Sequence, residues 1–157
     1  MNAPVRSAQA MTLTPQMTEA LNDLCREARG NTVPVTITQM MVADFTMLTG
    51  DDNPIHRADA PGGPITPGLL TLSLLPKLTN LTKCKKVADH VVYNVGVECQ
   101  FSRPVPVGST IKLSEIAPES TTVDRRGITA KIAFTIVLEK EWKAVAKGVI
   151  YLLLRPN

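Results

Sequence analysis

Residues 66–81 read TPGLLTLSLLPKLTNL, a leucine-rich stretch in the middle of a 157-residue chain. Thr66 followed by Pro67 is typical of a helix start, with a capping side chain and then a proline in the first turn. The leucines fall on every side of such a helix, and a helix that is apolar all round must be buried all round. Pro76 predicts a kink or an early end, because proline lacks an N–H and crowds the preceding turn.

The chain that follows alternates apolar and polar residues, which is the period of a β-strand. The predicted strands are Val91–Phe101, Thr110–Ile116, Thr129–Leu138 and Val145–Leu154. Short loops between successive strands favour an antiparallel sheet. One buried helix followed by long strands predicts an α+β fold in which the sheet wraps around a central buried helix.

The chain before the leucine-rich stretch predicts three smaller elements. An extra amphipathic N-terminal helix begins at Thr14-Pro15 and stops at Gly30. A short strand at 33–37 precedes a second helix over about 38–48, whose Met40, Met41 and Met47 are expected in the core. We expect residues 1–12 to be a flexible tail and residues 13–157 to form a single domain.

Composition excludes several classes of function. The net charge is only +3, from 17 basic and 14 acidic residues, and aromatic residues are 4% of the chain, so no nucleic-acid partner is expected. No apolar run reaches the roughly 18 residues of a membrane span. Three cysteines without a C-x-x-C pair predict reduced thiols, no metal site and a cytoplasmic protein. A basic cluster at 83–86 indicates a solvated loop, or else a contact for an anionic phosphate or acidic carrier.

A turn at residues 50–56, sequence GDDNPIH, carries the residues best suited to chemistry. Pro54 restricts the turn, and Asp51 and His56 then lie on one short, rigid loop. A carboxylate and an imidazole held in this way can share and activate one water. Gly68, in the first turn of the predicted central helix, offers a free N–H that could stabilise negative charge on a carbonyl oxygen. Each feature alone is equally compatible with ordinary turn and packing chemistry.

Three segments together strengthen the catalytic interpretation. The segments Phe45–His56, Gly63–Pro76 and Phe101–Ser109 resemble, in order, motifs of the MaoC-like, (R)-specific enoyl-CoA hydratases. The resemblance covers about residues 33–154. It implies the hot-dog fold, in which an antiparallel sheet wraps one helix, and this agrees with the shape predicted from periodicity.

The resemblance also implies roles for individual residues. Asp51 and His56 would be the catalytic dyad, Asn53 would support their loop, and the Gly68 N–H would form the oxyanion hole. The substrate would be a 2-enoyl or 3-hydroxyacyl thioester of CoA or of an acyl carrier protein. No cofactor or metal would be needed, and the protein would form homodimers or larger homo-oligomers.

The chain departs from the family pattern in two places. The segment from Arg57 to Gly63 is short, and Pro67 stands where the family usually has histidine before the helix glycine. A trimmed loop beside the dyad predicts a reshaped acyl pocket and an unusual acyl group, such as a polyketide or another secondary-metabolite intermediate.

Two alternatives to a hydro-lyase remain open at this point. Hot-dog thioesterases often carry a carboxylate on the central helix, whereas the segment from Pro67 to Leu81 contains no Asp or Glu. A non-catalytic module that only binds acyl thioesters is the second alternative, and the presence of both Asp51 and His56 argues against it.

Overall fold

The structure, a computed structural model, describes residues 15–80 and 90–156. The predicted tail at 1–12 and the basic cluster at 83–86 lie outside these residues. The helices are α1 (Pro15–Gly30), α2 (Gln39–Thr49), α3 (Gly68–Ser73) and α4 (Leu75–Thr79), with a 3-10 turn at Pro54–His56. The strands are β1 (Val35–Thr36), β2 (His90–Phe101), β3 (Thr110–Asp124), β4 (Gly127–Leu138) and β5 (Lys143–Pro156). None of the described helices is long and apolar enough to cross a membrane.

The strands form one antiparallel sheet in the order β1-β3-β4-β5-β2. Strand β4 lies in the middle of the sheet, and its alternate apolar side chains are buried in the main core: Ala130, Ile132, Phe134, Ile136 and Leu138. Strand β2 forms one edge and pairs only with β5 along its length within the described chain. The predicted antiparallel sheet is therefore confirmed, with short β1 added at the edge opposite β2.

The central helix is broken into α3 and α4 at Leu74. Pro76 causes the break, because it has no N–H to donate to the Leu72 carbonyl and its ring crowds the preceding turn. Leu70, Leu75 and Leu78 are buried in the core. The expectation of burial on all sides is wrong for a single chain, because Leu69 is 64% exposed where no described element covers it.

Helix α1 packs against β3 and extends the layer of helices over the sheet. Its buried residues, Leu21, Leu24, Cys25 and Ala28, recur at helical spacing and join the main core. At its end, the Arg29 guanidinium donates to the Ile116 carbonyl at 3.0 Å. The predicted extra helix therefore forms part of the core rather than an appendage.

Helix α2 delivers the chain to the predicted catalytic turn. The Thr38 hydroxyl caps its start by accepting from the Met41 N–H. Gly50 ends it in the left-handed conformation, with φ +74°, which glycine adopts without a steric cost. Met41 packs on the core as expected, but Met40 and Met47 are exposed. They lie seven residues apart on the face of α2 that turns away from the sheet.

Candidate active site

His56 is held by four polar contacts. Its backbone N–H donates to the Asn53 carbonyl at 3.1 Å, and its backbone carbonyl accepts from Gln39 Nε2 at 3.0 Å. The ring Nδ1 lies 2.6 Å from the Ile65 carbonyl oxygen, and Nε2 lies 3.4 Å from Asp51 Oδ2. The imidazole is therefore held through Nδ1 with Nε2 facing Asp51, and its side chain is only 9% exposed.

The contact with Ile65 determines which ring nitrogen can act as a base. A carbonyl oxygen can only accept a hydrogen bond, so Nδ1 carries the hydrogen. In the neutral imidazole the lone pair is then on Nε2, which faces Asp51. The second nitrogen of His56 is thus presented as a proton acceptor.

Asp51 is oriented by the backbone of its own turn. Its Oδ1 accepts from the Asn53 N–H at 3.3 Å, which leaves Oδ2 directed toward His56. The 3.4 Å separation is longer than the usual N–H···O distance of about 2.9 Å. A water that donates one hydrogen to Asp51 Oδ2 and the other to His56 Nε2 would give both acceptors a hydrogen-bond partner. The Asp51 side chain is 40% exposed, so water can reach it.

Asn53 lies between these two residues and stabilises the turn. Its side-chain oxygen accepts from the Ile55 N–H at 3.3 Å, and this caps the 3-10 turn that carries His56. Pro54 occupies the first position of that turn. Asn53 therefore supports the turn through its side-chain oxygen, and it also lines the cleft beside Asp51.

The same contact with Ile65 ties His56 to the start of α3. Ile65 and Thr66 form a short strand-like connection, because the Thr66 N–H donates to the Val105 carbonyl at 2.8 Å. Gly68, three residues after Ile65, begins the helix. Hydrogen bonds to the backbone of this connection thus fix the position of the catalytic turn relative to the start of α3.

The start of α3 differs from the cap that its sequence predicts. The N-cap residue is Pro67, and no side chain caps the helix. Thr66 makes no capping bond because the helix begins one residue later than expected. The first-turn N–H groups, beginning with Gly68, therefore remain available to a ligand. A Cβ at Gly68 would lie 3.2 Å from the Phe101 ring, which covers this turn from the end of β2.

Two open clefts meet at His56. One, of about 490 Å³, is lined by His56, Gly68, Thr71 and Phe101 among others. The other, of about 560 Å³, is lined by His56, Asp51, Asn53 and Gln39 among others. The structure thus places the predicted site residues around one histidine, with Asp51 on one side and Gly68 on the other. Among the described residues, no cluster of three or more acidic, histidine or cysteine side chains could hold a metal.

Three residues that border these clefts were not identified from the sequence. Gln39 holds the His56 carbonyl, and Thr66 and Thr71, whose hydroxyls are buried, line the cleft at Gly68. Thr71 had a signal, since a polar residue inside a leucine-rich helix needs a partner. Gln39 had none, because its contact depends on how α2 packs against the turn.

Comparison with known proteins identifies a family and a group of relatives. The family described as MaoC like domain matches residues 23–135. The 3-hydroxyacyl-thioester dehydratase Z of Mycobacterium tuberculosis is 32% identical over 125 residues, which cover 74% of this chain and 82% of that protein.

Solved structures show the same fold. The (R)-hydratase of A. caviae, involved in PHA biosynthesis, superposes with a TM-score of 0.62 at 23% identity and covers 78% of this chain and 92% of its own. An R-hydratase of Pseudomonas aeruginosa gives 0.63 at 18% identity, covering 80% and 79%. These likenesses confirm the hot-dog fold expected from the sequence. Together with the family match over most of its length, they show that the chain belongs to the MaoC-like dehydratase family.

Proposed function

We propose that the protein is a hydro-lyase that adds water to, or removes it from, the C2–C3 bond of an acyl thioester. The observation that carries this proposal is the 3.4 Å approach of Asp51 Oδ2 to His56 Nε2, at the junction of two clefts of which one reaches Gly68. Family membership and the similarity to a 3-hydroxyacyl-thioester dehydratase support the same reaction. The substrate is a 2-enoyl or 3-hydroxyacyl thioester of CoA or a carrier protein.

In the hydration direction, the dyad holds one water by its two hydrogens. The water oxygen bonds to C3 of the enoyl thioester while its proton passes to the dyad. The electrons of the C2–C3 double bond move toward the thioester carbonyl, whose oxygen becomes negative. The same proton then returns to C2, so that one water supplies both new substituents, and dehydration is the reverse.

Gly68 has a separate role in this mechanism. Its N–H lies in the uncapped first turn of α3, where it can donate to the carbonyl oxygen as negative charge develops. Because it is a glycine, the Phe101 ring can pack directly on this turn, where a Cβ would lie 3.2 Å from it. Asn53 and Gln39 contribute by fixing the turn and do not touch the reacting atoms.

The direct test is an assay of crotonyl-CoA hydration. The reaction is monitored by the loss of absorbance of the conjugated enoyl thioester. We expect Asp51→Asn to reduce kcat by about 10²- to 10⁴-fold, because the amide cannot accept the water's proton. His56→Ala should have at least as large an effect. Asp52→Asn is the matched control, since Asp52 lines the same cleft as Asp51 but it is Asp51 that pairs with His56 Nε2.

The control should retain the activity of the unaltered protein. Equal activity of Asp51→Asn and Asp52→Asn would overturn the assignment of the dyad. Release of free thiol without formation of the 3-hydroxyacyl thioester would instead indicate a thioesterase.

We further propose that the protein acts as a homodimer joined through β2. This edge strand presents the exposed apolar side chains Val91, Val92, Tyr93, Val95, Val97 and Phe101. Long, apolar, unpaired edges promote association and are rarely left open. The strand ends at Phe101, against Gly68, so this interface would lie beside the active site. Pairing of two β2 strands would also bring a second copy near the exposed Leu69.

A further inference from the structure

Buried polar atoms that lack a partner cluster around His56. Among the described residues, three buried side-chain atoms have no hydrogen-bond partner: Gln39 Oε1, Thr66 Oγ1 and Thr71 Oγ1. Thr66 and Thr71 both line the cleft that joins His56 to Gly68, while Gln39 lines the adjoining cleft. A buried polar atom without a partner costs roughly 1–3 kcal/mol. Three such atoms around one histidine indicate a site that a polar ligand completes.

Thr71 is unusual among the helical hydroxyls. A serine or threonine inside a helix usually donates to the carbonyl three or four residues earlier. Ser73 and Thr79 do so in the same layer, at 2.8 and 3.2 Å, and Thr46 and Thr49 do so in α2. Thr71 makes no such bond, although it is only 1% exposed. Its hydrogen therefore remains available.

The position of Thr71 indicates what it can bind. It lies three residues after Gly68, on the same face of α3, and helical side chains lean toward the N-terminus of their helix. The hydroxyl of Thr71 is thus carried toward the turn that holds the Gly68 N–H. Thr66, 4% exposed, borders the same cleft from the other side of that glycine.

We propose that Thr71 is a substrate-binding residue whose hydroxyl donates a hydrogen bond to the thioester carbonyl oxygen, beside the Gly68 N–H. This inference rests on the proposed function, in which that oxygen becomes negative during the reaction. A carbonyl oxygen accepts two hydrogen bonds, so one backbone amide leaves room for a second donor. The hydroxyl that has no partner in the free protein obtains one when substrate binds.

Loss of the Thr71 hydroxyl should lower activity but should not lower the stability of the fold. Thr71→Val keeps the shape of the side chain but removes an unpaired buried hydroxyl, so the melting temperature should be unchanged or higher. The same variant should lower kcat/KM for crotonyl-CoA hydration by roughly 10- to 100-fold, the effect of one hydrogen bond to a charged oxygen. Thr71→Ser, which retains the hydroxyl, should keep most of the activity.

Thr79→Val is the matched control. Thr79 is also a buried helical threonine, but its hydroxyl already donates to the Pro76 carbonyl and it does not line the cleft at Gly68. Its replacement should lower the melting temperature and leave hydration of the short crotonyl chain unaffected. Thr71→Val should therefore lower activity without lowering the melting temperature, whereas Thr79→Val should lower the melting temperature without lowering activity.

A spectroscopic measurement separates binding from structure. In an Asp51→Asn background, which holds crotonyl-CoA without hydrating it, the carbonyl stretch of [1-13C]crotonyl-CoA should shift to lower frequency on binding. Adding Thr71→Val should reduce that shift. Activity of the unaltered protein tests the proposed function separately. If the unaltered protein is active while Thr71→Val is equally active, or leaves the carbonyl shift unchanged, Thr71 does not bind the carbonyl.

Discussion

The hydrogen bond between His56 Nδ1 and the Ile65 carbonyl does two things at once. It leaves Nε2 as the basic nitrogen, and it ties the catalytic turn to the residue that leads into α3. A change of conformation at Ile65 would therefore disturb both the base and the carbonyl site. At the scale of single residues, the arrangement depends on backbone groups as much as on the two side chains that the sequence singles out.

Gly68→Ala tests the carbonyl site at this scale. The new methyl group would meet the Phe101 ring at 3.2 Å, and this partly exposed ring can move a few tenths of an ångström. We expect only a small fall in the melting temperature, because the clash involves the end of a side chain. We expect a fall in kcat/KM of about 10-fold or more, since the methyl group displaces the Phe101 ring, which lines the same cleft as Gly68. Enzyme kinetics and thermal unfolding check both expectations, and unchanged kcat/KM would contradict the role of Gly68.

Strand β5 shows how an element can depend on one residue without a side chain. Gly148 pairs with Phe134 on β4 and with Cys99 on β2. A Cβ at this position would lie 2.1 Å from the Glu98 carbonyl oxygen and 3.0 Å from the Phe134 ring. The backbone of β2 and the ring of the central strand thus occupy the space that a side chain would need.

Gly148→Ala should therefore be strongly destabilising. Backbone atoms cannot move aside as a flexible side chain can, so β2 and β5 would have to separate locally. We expect a loss of about 2 kcal/mol or more in the free energy of unfolding, measured by urea denaturation. Gly96→Ala on β2 is the control, because its Cβ would meet only the side chain of Tyr151, at 3.3 Å. Equal stability of the two variants would show that the sheet can relax around Gly148.

At the scale of the whole molecule, the described chain leaves one side of its helix layer and one edge of its sheet uncovered. Leu69 on α3 and the apolar side chains of β2 are exposed, and Phe101 at the end of β2 lines the cleft at Gly68. A second copy that pairs through β2 would cover the strand and would continue the sheet across the interface. The proposed dimer is thus the arrangement that removes the largest apolar edge.

Val95→Lys tests that arrangement. Val95 is 52% exposed and lies at the irregularity between Asn94 and Gly96, so a lysine there can reach solvent in a monomer. We expect the unaltered protein to sediment as a dimer and the variant to shift toward a monomer, because each copy would bring a lysine charge into the apolar interface. Val33→Lys, an exposed valine outside β2, should leave the dimer intact. A monomeric unaltered protein at micromolar concentration in sedimentation velocity would contradict the proposed interface.

Local sequence patterns predicted most of the helices and strands and singled out Asp51 and His56 as the proposed dyad. The alternation from Ala130 to Leu138 predicted β4, the leucines of 66–81 predicted the central helix, and the turn chemistry of Gly50 and Pro54 predicted a rigid loop. These signals are local, because periodicity and turn preferences depend on neighbours along the chain.

The contacts between these segments depend on how the chain folds. The Ile65 carbonyl that fixes the His56 tautomer, the Gln39 side chain and the unpaired hydroxyl of Thr71 became visible once distant segments were placed together. The exposure of Leu69 and Met47 was likewise missed, since apolar character does not reveal which face the sheet covers. Whether a buried polar group has a hydrogen-bond partner depends on atoms far away in the sequence. The pattern of neighbouring residues therefore does not predict it.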